Sequence, residues 1–147
     1  MTDKLGNILA TTDIMAGNHN DQYELKEKLK TIFSDLLAVG ISVRGSLFNM
    51  DAGFDSRAVR KFCFNRGIRP NIKENPRNRK TPKRGPKRFF DKDCYAHRVC
   101  IERTFAWVDK FKRLLLRFER EDVYFKGWHF IAFSLINLRH RIAESLI

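Results

Sequence analysis

The sequence predicts an α/β fold in which strands and helices alternate and neighbouring strands pair in parallel. Three strand-like runs, at residues 5–14, 46–50 and 68–72, are separated by runs with apolar residues at helical spacing, and glycines stand at the junctions. The 147 residues have the size of one ordinary domain, and 43% of them are hydrophobic. We therefore expect a single packed domain over residues 1–147, which excludes a disordered chain.

The first predicted strand and helix lie within the first forty residues. Residues 5–14 (LGNILATTDI) are rich in Leu, Ile and Thr and predict a strand. Asn20 suits the N-cap of a helix, and acidic side chains follow it in the first turn. Apolar residues at helical spacing carry that helix to about Ala38, and Gly40 ends it.

The next segment predicts a strand, a helix and another strand. Residues 46–50 form a strand that ends at Asp51, and an Ala-Gly-Phe turn follows. Either Asp55 or Ser56 caps a helix over residues 56–66. A glycine ends that helix, and the third strand follows directly. This order of elements predicts parallel pairing of the two strands that the helix connects.

The positive charge is concentrated in one segment. The chain carries 29 basic and 17 acidic residues, a net charge of +12. Residues 69–88 hold nine of the basic side chains, one acid and all four prolines. Proline at this density prevents a helix, so we predict an extended basic loop over about residues 69–92. Charge gathered in this way indicates a polyanionic partner, most simply nucleic acid.

Two long helices are predicted after the basic loop. The first runs from about Asp93 to Phe118 and carries an apolar stripe at helical spacing. The second covers about residues 127–145 and is apolar around most of its circumference. A helix of that kind is expected to be buried.

Cysteines, histidines and hydropathy exclude other classes of protein. The three cysteines form no CxxC pair and the four histidines show no ligand spacing, which argues against a disulfide framework or a zinc site. No apolar run approaches the roughly 20 residues of a membrane span, and no export leader opens the chain. We therefore expect a cytoplasmic protein with reduced thiols and no membrane partner.

Two acidic residues stand where chemistry is expected. Asp51 lies at a strand end, where α/β sheets open a crevice for ligands, although an Asp there also suits a turn or a helix cap. Glu102 follows Tyr95 and Arg98 at helical spacing, so all three are expected on one face of the long helix. The plainer interpretation of Glu102 is a solvated side chain paired with Arg98 or Arg103.

The two motifs together resemble those of insertion-sequence transposases that use an Asp-Asp-Glu triad on a ribonuclease-H-like fold. In that family the second acid opens an Asp-x-Gly-(Tyr/Phe)-(Asp/Ser)-(Asp/Ser) motif at a strand end, and here DAGFDS begins at Asp51. The third acid belongs to a helical Y-x2-R-x3-E signature, matched by Tyr95, Arg98 and Glu102. The resemblance covers essentially the whole chain. It implies that Asp51 and Glu102 are catalytic ligands of Mg²⁺ (or Mn²⁺).

The resemblance also implies a fold truncated at the N-terminus. The family's first catalytic Asp lies on a strand upstream of residues 5–14, so the first strands are expected to be missing. Asp3 matches the acid of a later Asp-x-x-Gly turn, and whether Asp3 or Asp13 replaces the first Asp stays open. We expect this polypeptide alone not to cut or join DNA. It is either the downstream frame of a two-frame element or a decayed fragment.

Double-stranded DNA, at the terminal inverted repeats of an element, is the substrate that the resemblance implies. An upstream transposase polypeptide or a second copy is the implied protein partner, and the implied location is the bacterial nucleoid. The family's Lys seven residues after the Glu is replaced by Asp109, and Lys110 stands next to it. The predicted DNA contacts are Tyr95, Arg98, Arg103, Lys110, Arg79, Lys80, Lys83, Arg84, Lys87 and Arg88.

Two other functions stay open at this point. One is a non-catalytic DNA-binding remnant of a transposase, which keeps the fold and the basic loop. The other is a ribosomal-type RNA-binding protein, suggested by the charge alone. The pair of acids at a strand end and on a helix favours the transposase origin, because an RNA-binding protein has no use for paired carboxylates.

Overall fold

The two strands of the sheet are joined by a helix. The computed structural model describes residues 1–15, 22–75, 85 and 88–145. Strand β1 is Leu47–Met50, helix α2 is Arg57–Phe64 and strand β2 is Arg69–Ile72; the helix that precedes them, α1, is Leu25–Ala38. The strands pair in parallel, with Leu47 opposite Arg69 and Met50 opposite Ile72. The predicted parallel strand–helix–strand unit is confirmed.

The chain divides into two units. The sheet unit is Gly17–Ala96, and the helical unit is Met1–Ala16 together with His97–Ile147. The sheet unit contains α1, β1, α2 and β2, and ends with a short helix, α3, at Lys92–Ala96. The prediction of one domain over residues 1–147 stays a prediction.

The core of the sheet unit is apolar side chains from both helices and both strands. The ring of Phe33 lies 6.2 Å from that of Phe62 and 6.0 Å from that of Phe48, which joins α1 to α2 and to β1. Aromatic contacts at these distances add to the free energy of burial. The buried side chains are Leu29, Ile32, Phe33 and Leu36 of α1, Val59, Phe62 and Cys63 of α2, with Met50, Ile68 and Ile72.

Local signals end the helices of this unit close to where they were predicted. Ser56 caps α2, because its Oγ accepts a hydrogen bond from the Val59 N–H at 3.2 Å. Gly67 and Gly40 follow α2 and α1 with φ of 67° and 81°, a left-handed conformation that glycine adopts without a steric cost. The predicted N-cap of this helix, Asn20, is wrong, because α1 begins at Leu25 and Glu24 stands at its N-cap position; Asn20 itself lies outside the described residues.

The strand predicted at residues 5–14 is wrong. Thr2 and Ile8 form an isolated antiparallel bridge around a tight turn, and the rest of the segment has no regular structure up to residue 15. The reason is that a side chain takes the place of a partner strand. The amide of Asn137 donates to the Ile8 carbonyl and accepts from the Ile8 N–H, both at 2.8 Å.

The long helix predicted from Asp93 to Phe118 is also wrong. It is three helices: α3, α4 (Val99–Val108) and α5 (Lys112–Leu115). Between α4 and α5, Phe111 has an extended conformation with φ −86° and ψ 99°. Helices are held mainly by packing of their apolar face. Phe105, Leu115 and Phe118 of the predicted stripe are more than 60% exposed, so no continuous face is covered.

The last helix, α6, spans Asp122–Ser145 and begins five residues before its predicted start. It packs on α4 and α5 within the helical unit. Its predicted burial is wrong for most of its circumference, because Ala132 and Ile136 are buried whereas its other large apolar side chains are mostly about half exposed: Phe130, Ile131, Leu135, Leu138 and Ile142. In the part of the chain that the structure describes, no helix is long and apolar enough to cross a membrane.

Candidate functional site

Asp51 lies directly after β1, where the sequence predicted it. Its backbone is extended, with φ −62° and ψ 156°, and its carbonyl accepts the Phe54 N–H at 3.0 Å across the turn Ala52–Phe54. The carboxylate makes no capping hydrogen bond to that turn, and the residue is exposed. The carboxyl end of a parallel strand is where α/β sheets bind ligands. The position of Asp51 therefore suits a ligand better than a cap.

The second acid of the same motif, Asp55, has a different environment. Its side chain is 5% exposed, and Oδ1 accepts from Arg60 Nε at 2.7 Å and from Arg88 Nη1 at 2.9 Å. Oδ2 accepts the Asn75 N–H at 3.1 Å. Arg60 also donates to the Ile72 carbonyl at 2.7 Å. One buried carboxylate thus joins the start of α2, the end of β2 and both residues that flank segment 76–87.

The sequence analysis missed this role of Asp55. It treated the residue as one of two candidate caps, and Ser56 is the cap. The only signal was the second acid of the DAGFDS motif, whose partner Arg88 lies 33 residues away along the chain. A contact of that separation follows from the tertiary structure and from no local pattern.

Arg88 was predicted to contact DNA, and its guanidinium has protein partners. Besides Asp55 it lies 3.4 Å from Glu74 Oε1, and its side chain is 34% exposed. Much of its charge is therefore neutralised within the sheet unit. The other predicted contacts of the basic loop, Arg79, Lys80, Lys83, Arg84 and Lys87, lie outside the described residues.

A buried asparagine, Asn71, and its half-buried neighbour Asn49 support the start of α3. Asn49 of β1 and Asn71 of β2 are neighbours in the strand register, and Asn71 Nδ2 donates to Asn49 Oδ1 at 2.7 Å. Asn71, which has no exposed surface, also bonds both the N–H and the carbonyl of Asp91 at 2.9 Å. Asn49 donates to the Cys94 carbonyl at 2.7 Å. A fully bonded polar network of this kind holds one arrangement of the backbone.

The Y-x2-R-x3-E signature does not lie on one continuous helix, contrary to the prediction. Tyr95 belongs to α3, where its ring packs against that of Phe90 at 5.0 Å. Arg98 stands at the N-cap position of α4, and Glu102 lies in its first turn. Between them, the Cys100 N–H bonds the carbonyl of His97, three residues back, which is the tighter pattern of a helix end.

Glu102 is a surface residue within the helical unit. Its side chain is 63% exposed, and Oε1 lies 3.6 Å from Arg98 Nη2. Arg103 beside it is exposed as well. Lys110 Nζ lies 3.9 Å from the centre of the Trp107 ring. The contacts of Glu102 match the plainer interpretation of the sequence, in which this residue is a solvated carboxylate paired with Arg98.

Asp3 and Asp13, the two acids considered as replacements for a first catalytic Asp, each have structural partners. Asp3 Oδ1 accepts the N–H groups of Leu5 and Asn7, and Oδ2 accepts the Asn7 amide, all at 2.9 Å. This is a turn-forming carboxylate. Asp13 pairs with Lys126 of α6.

The carboxylates of Asp51 and Glu102 are the type of oxygen ligand that Mg²⁺ prefers. Among the residues that the structure describes, however, no group of three His, Cys, Asp or Glu side chains is placed to hold a metal ion. Asp51 belongs to the sheet unit and Glu102 to the helical unit. Their convergence on one site stays a prediction. Of the thiols, Cys63 is buried in the core, and this burial raises its pKa, so it is not a candidate ligand.

A strand-end acid, a helical acid and a strongly basic chain are the features of a protein that acts on nucleic acid. Residues 1–138 match the family model described as "Transposase DDE domain". Because this match spans most of the chain, the protein belongs to the family of transposase DDE domains. Neither the comparison with curated proteins nor that with solved structures found a match.

Proposed function

We propose that this chain contributes Asp51 and Glu102 to the metal centre of a transposase that cuts and joins DNA. The observation that carries the proposal is the exposed carboxylate of Asp51 at the end of β1, in a chain that belongs to the DDE family. The resemblance of the two motifs supplies Glu102 as the second ligand. A ribonuclease-H-like arrangement, which the family implies, brings a strand-end acid and a helical acid to one edge of a sheet.

Divalent ions held by these residues would supply activation of the attacking oxygen and stabilisation of the leaving oxygen of a phosphodiester. Asp51 would hold one ion and Glu102 the other through carboxylate oxygens. Arg98, which pairs with Glu102 at 3.6 Å, would exchange that contact for a DNA phosphate when the carboxylate turns to the ion. Both Mg²⁺ and Mn²⁺ bind carboxylate oxygens, so either ion suits these two ligands.

DNA is held mainly through its backbone in this proposal. Arg98, Arg103 and Lys110 lie in the helical unit and supply positive charge around Glu102. Segment 76–87 adds six basic residues and contains no acid. Contacts of this type are driven by charge and are largely indifferent to sequence. Tyr95 packs against Phe90, so a role in stacking on a DNA end would require its ring to leave that contact.

The shared metal centre is tested by metal-directed cleavage of the protein. Fe²⁺ takes the place of Mg²⁺, and with ascorbate and peroxide it generates radicals that cut the backbone beside the ion. We expect cuts near both residue 51 and residue 102 in the native chain, because the two ions are neighbours, and weaker cuts at both positions in Asp51→Asn, which loses one of them. Cuts near one position alone, or cuts near 102 that keep their native strength in the variant, would show that the two carboxylates lie at different sites.

The two acids that the resemblance assigns leave the centre without its bridging ligand. We therefore expect the 147-residue polypeptide by itself not to cleave DNA, because the missing bridging acid removes a ligand from both ions and leaves each with a single carboxylate, through which Mg²⁺ rarely binds. The test is incubation with Mg²⁺ or Mn²⁺ and a labelled duplex that carries the terminal repeat of the element. Specific cleavage by this polypeptide would contradict the expectation, and cleavage restored only by adding the upstream polypeptide would support it.

A non-catalytic DNA-binding remnant is the second candidate. It is favoured by one observation, the exposed side chain of Glu102 and its ordinary surface pairing with Arg98. The Fe²⁺-directed cleavage of the protein distinguishes the two candidates. A remnant binds duplex DNA and shows no Fe²⁺-dependent cut at either acid.

A further inference from the structure

We propose that a cleft between α1 and α2, whose residues belong neither to the basic loop nor to the helical unit, binds the phosphate backbone of duplex DNA. The cleft has a volume of about 570 Å³ and is lined by Lys26, Arg57, Ala58, Lys61, Phe62, Asn65 and Arg66. All of these residues belong to the sheet unit. The inference rests on the proposed function in one respect, namely that the protein binds DNA.

The charge of the cleft is of one sign. Four of its seven lining residues are Lys or Arg, and none is acidic. Within the described part of the chain, no acidic side chain forms an ion pair with Lys26, Arg57 or Lys61. Arg60, the residue before Lys61 on α2, is by contrast bonded to the buried Asp55. The cations of the cleft are therefore available to an external anion, while the cation beside them stabilises the fold.

One of the four cations is held in place by the protein. The guanidinium of Arg66 lies 3.7 Å from the centre of the Phe62 ring, and its Nη1 donates to the Phe62 carbonyl at 3.5 Å. Phe62 is itself a buried core residue. Stacking of this type leaves donors of the guanidinium free to bind a phosphate, and it reduces the loss of side-chain entropy on binding.

The spacing of the cations on α2 supports the same conclusion. Arg57 and Lys61 are four residues apart and so project from one face of the helix. Like charges at this spacing destabilise a helix, and no acid in the described structure offsets them. A bound polyanion would remove that repulsion. A pair of like charges without acidic partners is expected at a surface that binds an anion.

The cleft lies beside the turn that carries Asp51. Gln22 Nε2, just before α1, donates to the Gly53 carbonyl at 2.6 Å, so the start of α1 is tied to the turn after Asp51. Arg57 begins α2 six residues beyond Asp51. A duplex whose backbone occupies the cleft would therefore pass close to the end of β1. We infer that the cleft guides DNA to that strand end.

The test compares two double variants, each of which removes two lysine charges from helices of the sheet unit. Lys26→Gln with Lys61→Gln removes two cations of the cleft. Lys28→Gln with Lys30→Gln is the matched control, because Lys28 bonds the Tyr23 carbonyl and Lys30 pairs with Glu27. The measurement is fluorescence anisotropy of a labelled 30-base-pair duplex of arbitrary sequence across a salt series. Circular dichroism checks that both variants keep their helices.

Loss of two phosphate contacts should reduce the slope of log affinity against log salt by about 1.8 and raise Kd by about 10- to 60-fold at 0.1 M salt. The control should change Kd by less than about 3-fold. Arg57→Gln alone should reduce the slope by about 0.9. If the native chain binds DNA and the two double variants weaken it equally, the cleft is not a binding surface, while the proposed function stands. If the native chain fails to bind any duplex, both proposals fall.

Discussion

The sheet unit and the helical unit present their acidic residues in opposite ways. In the sheet unit, the turn of Asp51 is followed by Asp55, a buried carboxylate with three hydrogen bonds, and Asn49 of β1, which bonds the buried Asn71, also donates to the Cys94 carbonyl of α3. In the helical unit, Glu102 is 63% exposed and meets Arg98 at 3.6 Å. The backbone around Asp51 is thus fixed by buried contacts, whereas the side chain of Glu102 is exposed and pairs with Arg98 at the surface.

The same contrast holds for apolar side chains. In the sheet unit, α1 and α2 each bury at least three large side chains or thiols. In the helical unit, α6 has 24 residues, and its described large apolar side chains are mostly about half exposed. The strand–helix–strand unit therefore has its own core. The stability of the helical unit depends on few buried positions, among them Ile136 and Thr104.

The largest expected effect compares how much Asp55 and Glu102 contribute to the free energy of unfolding. Asp55→Ala should lower the free energy of unfolding by about 3 kcal/mol, because it leaves Arg60 with an unpaired charge at a partly buried position. Glu102→Ala should change it by less than about 0.5 kcal/mol, because an exposed pair at i and i+4 contributes little. Urea denaturation monitored by circular dichroism measures both. Equal losses would remove the contrast between the units.

A smaller effect tests the exposed face of α6. Ile136→Ala should cost about 2–3 kcal/mol, since Ile136 is 4% exposed and its removal leaves a cavity. Leu135→Ala, one position away and half exposed, should cost less than about 0.5 kcal/mol. The two variants delete similar volumes from the same helix, so thermal unfolding of the pair isolates burial as the cause. A comparable loss in Leu135→Ala would mean that this face is covered in solution.

The strand–helix–strand unit could be predicted from the sequence because its signals are local. Ser56 caps α2, Gly67 ends it, and the apolar spacing of the flanking runs matches the observed β1 and β2 within two residues. Asp51 follows from the same pattern, since a strand that ends in a glycine turn places its next residue at the edge of the sheet. These features needed no knowledge of distant contacts.

The errors share one physical cause, which is that contacts made in the folded structure, and not local pattern, decide what a segment forms. Residues 5–14 have the composition of a strand, but the amide of Asn137, 129 positions from Ile8, satisfies the backbone that a neighbouring strand would have bonded. The apolar stripe of residues 93–118 predicts a long helix, but the helix breaks because no surface covers that stripe continuously. Propensity and periodicity describe what a segment can form, and packing selects among those possibilities.

The sequence alone determined the positive charge, the two acidic motifs, the parallel strand–helix–strand unit and the family. Each of these depends on residue identity and short spacing, which the chain carries before it folds. Only the tertiary structure decided that the buried carboxylate of Asp55 bonds Arg60 and Arg88, and that Asn71 bonds the backbone of Asp91 just before α3. It also decided that four cations line one cleft between α1 and α2. Those features join residues from separate elements, and their contacts form only when the elements pack.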